Sequence, residues 1–103
     1  MIFINHEEEI KLTTGLQIFY FNAKWMVFNQ RFIYLLSNIS NKYPCAPVVV
    51  VDTDQFKGTC SRFNIKKIPT IIITLNGREI KRMDDIFSST KEFVTIFDDI
   101  CSI

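Results

Sequence analysis

The chain has 103 residues, enough for one small domain that buries most of its unfolded surface without disulfide bonds. Apolar residues make up 48% of it and ten residues are phenylalanine, which is typical of a packed core and excludes a disordered or fibrous chain. The formal net charge of +1 gives no electrostatic reason to expect nucleic acid or an anionic membrane as a partner.

The three cysteines, Cys45, Cys60 and Cys101, are widely spaced and match neither a disulfide framework nor a paired metal-ligand pattern. The single histidine, His6, leaves a zinc site short of ligands. We therefore expect no metal and no other cofactor, and we expect reduced thiols in a cytoplasmic protein. The sequence has no apolar stretch of membrane-spanning length, and its first residues lack the pattern of a secretion signal.

The first part of the chain predicts a short strand over residues 2–4 and a short helix over residues 7–12, with acidic residues in the first turn of that helix. Gly15 is expected to end the helix. Residues 16–21 are nearly all apolar, as in a strand that is covered on both faces.

A long helix is predicted over residues 25–40. Its apolar residues recur at helical spacing and should form one stripe against the sheet: Phe28, Phe32, Leu35, Leu36 and Ile39. Met26 and Val27 fall away from the centre of that stripe, so we expect them to be exposed at the start of the helix.

The second half predicts a parallel strand over residues 48–51, a short helix over 58–63 and a strand over 71–75. Asn76-Gly77 is a strong hairpin signal, so residues 79–83 should return antiparallel to the preceding strand. The pair Ser89 and Glu92 indicates a capping box for a last helix, whose buried stripe would be Phe93, Ile96, Phe97 and Ile100.

The predicted order is βαβαβαββα in a single domain over residues 1–103. Alternating units followed by a hairpin and a helix favour an α/β fold, with a central mixed sheet and helices on both faces.

Three motifs, taken in order, resemble the thioredoxin family over essentially the whole chain. The stretch from Phe21 to Trp25 follows the family's strand-to-helix junction, which reads aromatic, aromatic, Ala, charged, Trp and then Cys-Gly-Pro-Cys. Residues 51–54 (Val-Asp-Thr-Asp) are similar to the family's Val-Asp-Val-Asp strand end. Residues 63–70 followed by Asn76-Gly77 look like the segment that carries the family's cis-proline and the hairpin after it.

The resemblance implies a thioredoxin-like fold and a cis peptide bond before Pro69. A trans bond would be the expectation from an X-Pro pair alone. In the family, the cis-proline leaves the backbone of the preceding residue, here Ile68, open to pair with an extended peptide.

The same resemblance locates the departures from the family pattern. Met26, Val27, Phe28 and Asn29 stand where the family has Cys-Gly-Pro-Cys, and no Cys-x-x-Cys occurs elsewhere in the chain. Dithiol exchange needs an attacking thiolate and a resolving thiol, and neither methionine nor asparagine provides one. Tyr20 replaces the family's buried carboxylate, and Asp85 a glycine that lines the groove.

These departures predict a redox-inactive, non-catalytic module that binds a protein or an extended peptide, in a family associated with cell redox homeostasis. The expected binding face comprises Trp25, Met26, Phe28, Ile68 and Pro69. Trp25 fits two interpretations, a binding platform or a packed strand-end aromatic. Phe28 also fits two: part of an apolar patch, or an inward-turned core residue.

Two alternatives stay open. The first is a thiol-dependent oxidoreductase or redox sensor that uses a single cysteine, Cys60 or Cys101, although the sequence shows no neighbour that would activate either thiol. Cys60 otherwise fits a small buried apolar residue, and Cys45 an incidental loop position. The second is weak homodimerisation through the same apolar face.

Overall fold

The computed structural model describes residues 1–26, 29–44 and 46–84, together with residues 95, 98 and 99, and of Asn29 only the backbone. The described strands form one five-stranded sheet in the order β1-β3-β2-β4-β5. Its strands are β1 (Ile2–Phe3), β2 (Leu16–Asn22), β3 (Val48–Asp52), β4 (Thr70–Leu75) and β5 (Arg78–Met83). β1, β3 and β2 are parallel, whereas β4 and β5 run antiparallel to their neighbours. This is the predicted mixed α/β sheet.

Among residues 1–84, the helical elements that the structure describes are a 3₁₀ turn (Glu7–Glu9), α1 (Asn29–Lys42) and α2 (Lys57–Arg62). α1 packs on one face of the sheet and α2 on the other. Side chains alternate along β2, so the strand contributes residues to both cores. Ile18 and Tyr20 contribute to the core under α1, while Phe19 and Phe21 contribute to the core that also contains Phe56. All four β2 side chains are at most 1% exposed, which confirms that this strand is covered on both faces.

The hairpin between β4 and β5 turns at Asn76 (φ +53°) and Gly77 (φ +81°), the two left-handed conformations of a type I′ turn. The Asn76 side chain accepts a 2.8 Å hydrogen bond from the Gly15 N–H, and the Asn76 N–H donates to the Gly15 carbonyl at 3.0 Å. Gly15 has φ +84°, a conformation that favours glycine. The turn thus holds the start of β2 as well as its own two strands.

The strands lie within one residue of their predicted bounds, and the helical elements differ as follows. The predicted helix over 7–12 is a 3₁₀ turn of three residues, since Ile10 is extended (φ −87°, ψ 101°) and buried in the core. α1 contains Asn29–Lys42, so Trp25 precedes it in a turn closed by a 3.1 Å bond from the Met26 N–H to the Ala23 carbonyl. α2 begins and ends one residue earlier than the prediction over 58–63.

The predicted last helix and its capping box lie outside the described residues, except that Thr95, Asp98 and Asp99 are helical. The Tyr43 hydroxyl donates a hydrogen bond to Asp98, which joins this segment to the end of α1. Over the described ranges, no helix has both the length and the apolar character needed to cross a membrane.

Candidate functional site

The proposed binding face is assembled where β2 ends and β4 begins. Phe21 pairs with Thr70 in the antiparallel register, so the residues after β2 lie beside the residues before β4. Continuing that register by two positions sets Ala23 opposite Ile68. Pro69 is buried, Ile68 is half-buried, and the peptide bond between them is cis.

Trp25 is 69% exposed, and its indole Nε1 donates a 2.9 Å hydrogen bond to Asp54 Oδ2. Asp54 follows β3 in a turn whose backbone is itself held by Asp52, because Asp52 Oδ1 accepts the Asp54 N–H at 2.9 Å. The exposed ring rules out the interpretation of Trp25 as a packed strand-end aromatic. It is a surface side chain with one fixed polar anchor.

Met26 is half-buried, so the expectation of an exposed Met26 is wrong. Its Sδ accepts a 3.3 Å hydrogen bond from the Ala23 N–H, while its own N–H donates to the Ala23 carbonyl. The thioether therefore folds back onto the preceding turn instead of pointing into solvent. A thioether has no proton to lose and cannot form a mixed disulfide.

Three predicted residues of the degenerate motif lie wholly or partly outside the described residues. Val27 and Phe28 lie outside the described residues, as does the side chain of Asn29. The two interpretations of Phe28 therefore stay predictions. Asp85, expected to line the groove, also lies outside the described residues.

The backbone around Ile68 presents unpaired polar groups. The Thr70 hydroxyl donates a 2.6 Å hydrogen bond to the Lys67 carbonyl, which fixes the turn on either side of Ile68 and Pro69. Within the described part of the chain, neither the N–H nor the carbonyl of Ile68 has a hydrogen-bond partner. A half-buried residue with both backbone groups unpaired can accept a strand from another chain.

Tyr20 occupies the position that the resemblance assigned to a buried carboxylate. The side chain is fully buried, and its ring centroid lies 6.4 Å from that of Phe32. Burial raises the pKa of Tyr20 well above the ordinary tyrosine value. The hydroxyl therefore stays protonated at neutral pH and cannot act as a general base there.

Cys60 is half-buried, packs against the core that contains Phe19 and Phe21, and has its Sγ 3.9 Å from the Thr53 carbonyl. Burial raises the pKa of this thiol, and the nearby carboxylates, first Glu7 and then Asp52, raise it further. These effects are the reverse of those that activate a cysteine nucleophile. Cys45 and Cys101 lie outside the described residues.

Metal ligation finds no support in this part of the chain. Among the described residues, no group of three or more His, Cys, Asp or Glu side chains is arranged to hold a metal ion.

Asn22, the residue after Phe21 in the strand-to-helix junction, was not predicted as a site residue. Asn22 is 3% exposed, and its Nδ2 has no hydrogen-bond partner. It lines a cavity of about 250 Å³ at the carboxyl ends of the parallel strands. A polar residue that ends an apolar run, at a position where the family pattern has an aromatic residue, was the signal that could have revealed it.

The strand order, the antiparallel hairpin and the junction at Trp25 define an α/β protein with a thioredoxin-like sheet. The family model described as Thioredoxin matches residues 4–98. The chain therefore belongs to the thioredoxin family.

Solved thioredoxin structures share this fold at low sequence identity. Oxidised thioredoxin O2 from Arabidopsis thaliana superposes with a TM-score of 0.85 at 19% identity, over 95% of this chain and 91% of that one. Oxidised thioredoxin from Plasmodium falciparum gives 0.81 at 21% identity, over 93% and 96%. Fasciola hepatica thioredoxin gives 0.69 at 18% identity, over 82% and 83%. A comparison with curated protein sequences finds no match.

Proposed function

We propose that this chain is a redox-inactive, thioredoxin-like module that binds an extended segment of a partner protein at the former active-site groove. The face that we assign to the partner is the one expected from the sequence: Trp25, Met26, Phe28, Ile68 and Pro69. We further propose a cytoplasmic location, because widely spaced cysteines that match no disulfide framework are typical of reducing compartments.

The observation that carries the proposal is the state of Met26. The side chain in the position of an attacking thiol is a thioether whose sulfur accepts the Ala23 N–H. The sulfur is therefore held within the chain, and because it is a thioether it cannot exchange disulfides.

Two further features support binding. The unpaired backbone groups of Ile68 offer one donor and one acceptor to an added strand, which gives affinity without requiring a particular peptide sequence. The exposed Trp25 ring, anchored by Asp54, supplies rigid apolar area beside it.

The test selects extended peptides from a random library on the purified chain and measures their affinities for the wild type and for Ile68→Asp. Ile80→Asp is the matched control, since Ile80 is an exposed isoleucine on β5, an edge strand away from this face. We expect Ile68→Asp to weaken binding at least tenfold and Ile80→Asp to leave it unchanged. Equal affinities for the three proteins would refute the proposed face.

A reductase assay separates this function from the single-cysteine alternative. We expect no turnover of a disulfide substrate above that of buffer with reductant. Turnover that disappears when the cysteines are alkylated would favour the oxidoreductase instead. The raised pKa of the Cys60 thiol argues against that reading for Cys60.

Sedimentation over a range of protein concentrations tests for weak homodimerisation through the same face. A mass that rises with concentration in the wild type but not in Ile68→Asp would identify a second copy as the partner.

A further inference from the structure

We propose that the cavity at the carboxyl ends of β2 and β3 is a binding site for a carboxamide group. The proposal is independent of the partner face. The cavity uses Asn22 and Asp52 on the β3 side of β2, whereas Ile68 and Pro69 of the partner face precede β4.

The cavity lies between the sheet and α1. Asn22 on β2 pairs with Asp52 on β3 in the parallel register, so both side chains are on the face of the sheet that α1 covers. Ile33 of α1 and Val50 of β3 also line the cavity. Ligands of open α/β sheets commonly bind outside the carboxyl ends of parallel strands, as this cavity does.

One side chain of the cavity lining carries an unsatisfied hydrogen-bond donor. Asn22 is 97% buried, and its Nδ2 has no partner, although buried side-chain amides in folded proteins are nearly always hydrogen-bonded. The position is costly for stability unless an acceptor occupies the cavity. The donor therefore selects a ligand that carries a carbonyl or similar oxygen.

An acceptor lies on the neighbouring strand. Asp52 Oδ1 accepts the backbone N–H groups of Asp54 at 2.9 Å and Gln55 at 3.2 Å, whereas no described residue bonds to Oδ2. A group that presents a carbonyl oxygen and an N–H side by side satisfies Asn22 Nδ2 and Asp52 Oδ2 together. A carboxamide is the smallest common group of this kind.

Charge favours a neutral ligand over an anion. Lys24 and Asp52 both line the cavity, so its lining carries one positive and one negative group. A carboxylate ligand would bring its own charge against the Asp52 carboxylate, which disfavours binding. The apolar residues Phe3, Ile33 and Val50 also line the cavity and suit an aliphatic or aromatic substituent on the amide.

The test follows the backbone amide signals of the ¹⁵N-labelled protein during titration with benzamide and, in parallel, with benzoate. We expect saturable shifts at Asn22, Val50 and Asp52 with benzamide, and at least tenfold weaker binding of benzoate. Comparing N-acetyl-glutamine methylamide with N-acetyl-leucine methylamide identifies the source of the amide. A preference for the glutamine compound assigns the site to a protein side chain, and equal affinities assign it to a small molecule.

Two variants isolate the donor. Asn22→Leu removes the unpartnered amide and should reduce benzamide affinity at least tenfold. Thr74→Val is the matched control, because Thr74 Oγ1 is also buried and unpartnered but does not line the cavity. We expect it to leave benzamide binding unchanged.

Asp52→Asn provides a second measurement that depends on specificity and not on the loss of binding. Without the carboxylate, the preference for benzamide over benzoate should shrink at least fivefold. Absence of saturable binding, equal binding of benzoate and benzamide by the wild type, or unchanged benzamide affinity in Asn22→Leu would each overturn the proposal. A cavity that holds only an ordered water would give the first of these results.

Discussion

The indole Nε1 of Trp25 lies 2.9 Å from Asp54 Oδ2, which joins an exposed aromatic ring on the loop after β2 to the turn after β3. The bond restricts a side chain that would otherwise rotate freely in solvent. An aromatic ring held in one orientation loses less conformational entropy when a partner covers it.

Removing the carboxylate should release this ring. Trp25 is the only tryptophan in the chain, so its fluorescence reports on this contact alone. In Asp54→Ala we expect lower fluorescence anisotropy and a stability loss of no more than about 1 kcal/mol, because the bond is exposed to water. Glu8→Ala, which removes an exposed carboxylate with no described contact, should leave both measurements unchanged. An anisotropy equal to that of the wild type would show that the bond does not hold the ring.

Glu7 caps α2 from a distant part of the sequence. Its Oε1 accepts the Thr59 N–H at 3.0 Å and the Thr59 hydroxyl at 3.2 Å, while the residue preceding the helix, Phe56, provides no side-chain cap. Glu7→Ala should therefore cost about 1 kcal/mol, the usual value for losing an N-terminal cap. That cost corresponds to a decrease in Tm of roughly 4–8 °C.

Gly58 provides an independent check of the same contact. A Cβ at Gly58 would lie 3.0 Å from Glu7 Oε1, so Gly58→Ala should displace the cap. The displacement offsets the gain of about 1 kcal/mol expected for alanine over glycine in a helix. Gly58→Ala should consequently stabilise the Glu7→Ala protein more than it stabilises the wild type. Equal effects in the two backgrounds would contradict the contact.

The Cys60 thiol should react slowly. Because burial and the neighbouring carboxylates raise its pKa, a smaller fraction is thiolate in the folded chain than in the unfolded chain at the same pH. Alkylation at pH 8, followed for the Cys60 peptide by mass spectrometry, should be slower in buffer than in urea. Glu7→Ala should speed it, whereas Glu8→Ala should not. Faster alkylation of the folded chain would restore the single-cysteine alternative.

Tyr20 should make the fold sensitive to alkali. Burial raises the pKa of its hydroxyl above the unfolded value of about 10, so the folded chain holds this proton more tightly. That contribution to stability is complete below about pH 10 and is lost as the pH rises further. Tyr20→Phe should therefore lose less stability between pH 9 and pH 11 than the wild type, measured by urea unfolding. The exposed Tyr34→Phe should behave like the wild type.

The sequence predicted the sheet well because its strands carry strong local signals. The apolar run in β2 and the valines of β3 indicate burial on both faces. Asn76-Gly77 favours a type I′ turn, and the structure has that turn. The start of α1 was harder to predict, since the apolar stripe begins at Phe28 and does not mark where the helix starts before it. The Met26 to Ala23 hydrogen bond, a contact within the turn, is what sets Trp25 outside the helix.

The candidate site was less predictable for a related reason. The positions of Trp25, Met26, Ile68 and Pro69 follow from the resemblance, but their contacts do not. No local pattern indicates that the Met26 sulfur turns toward Ala23 or that Trp25 reaches Asp54 across 29 positions of the sequence. Asn22 escaped notice because its unsatisfied amide becomes visible only when its neighbours are in place.

The paired hydrogen bonds between Gly15 and Asn76 hold the start of β2 against the hairpin, at the opposite end of β2 from Trp25. These two hydrogen bonds fix the alignment of β2 with the hairpin without any contribution from the side chains around Trp25. Evolution can therefore replace the side chains at the end of β2 near Trp25, including the family's cysteines, while the strands keep the same alignment.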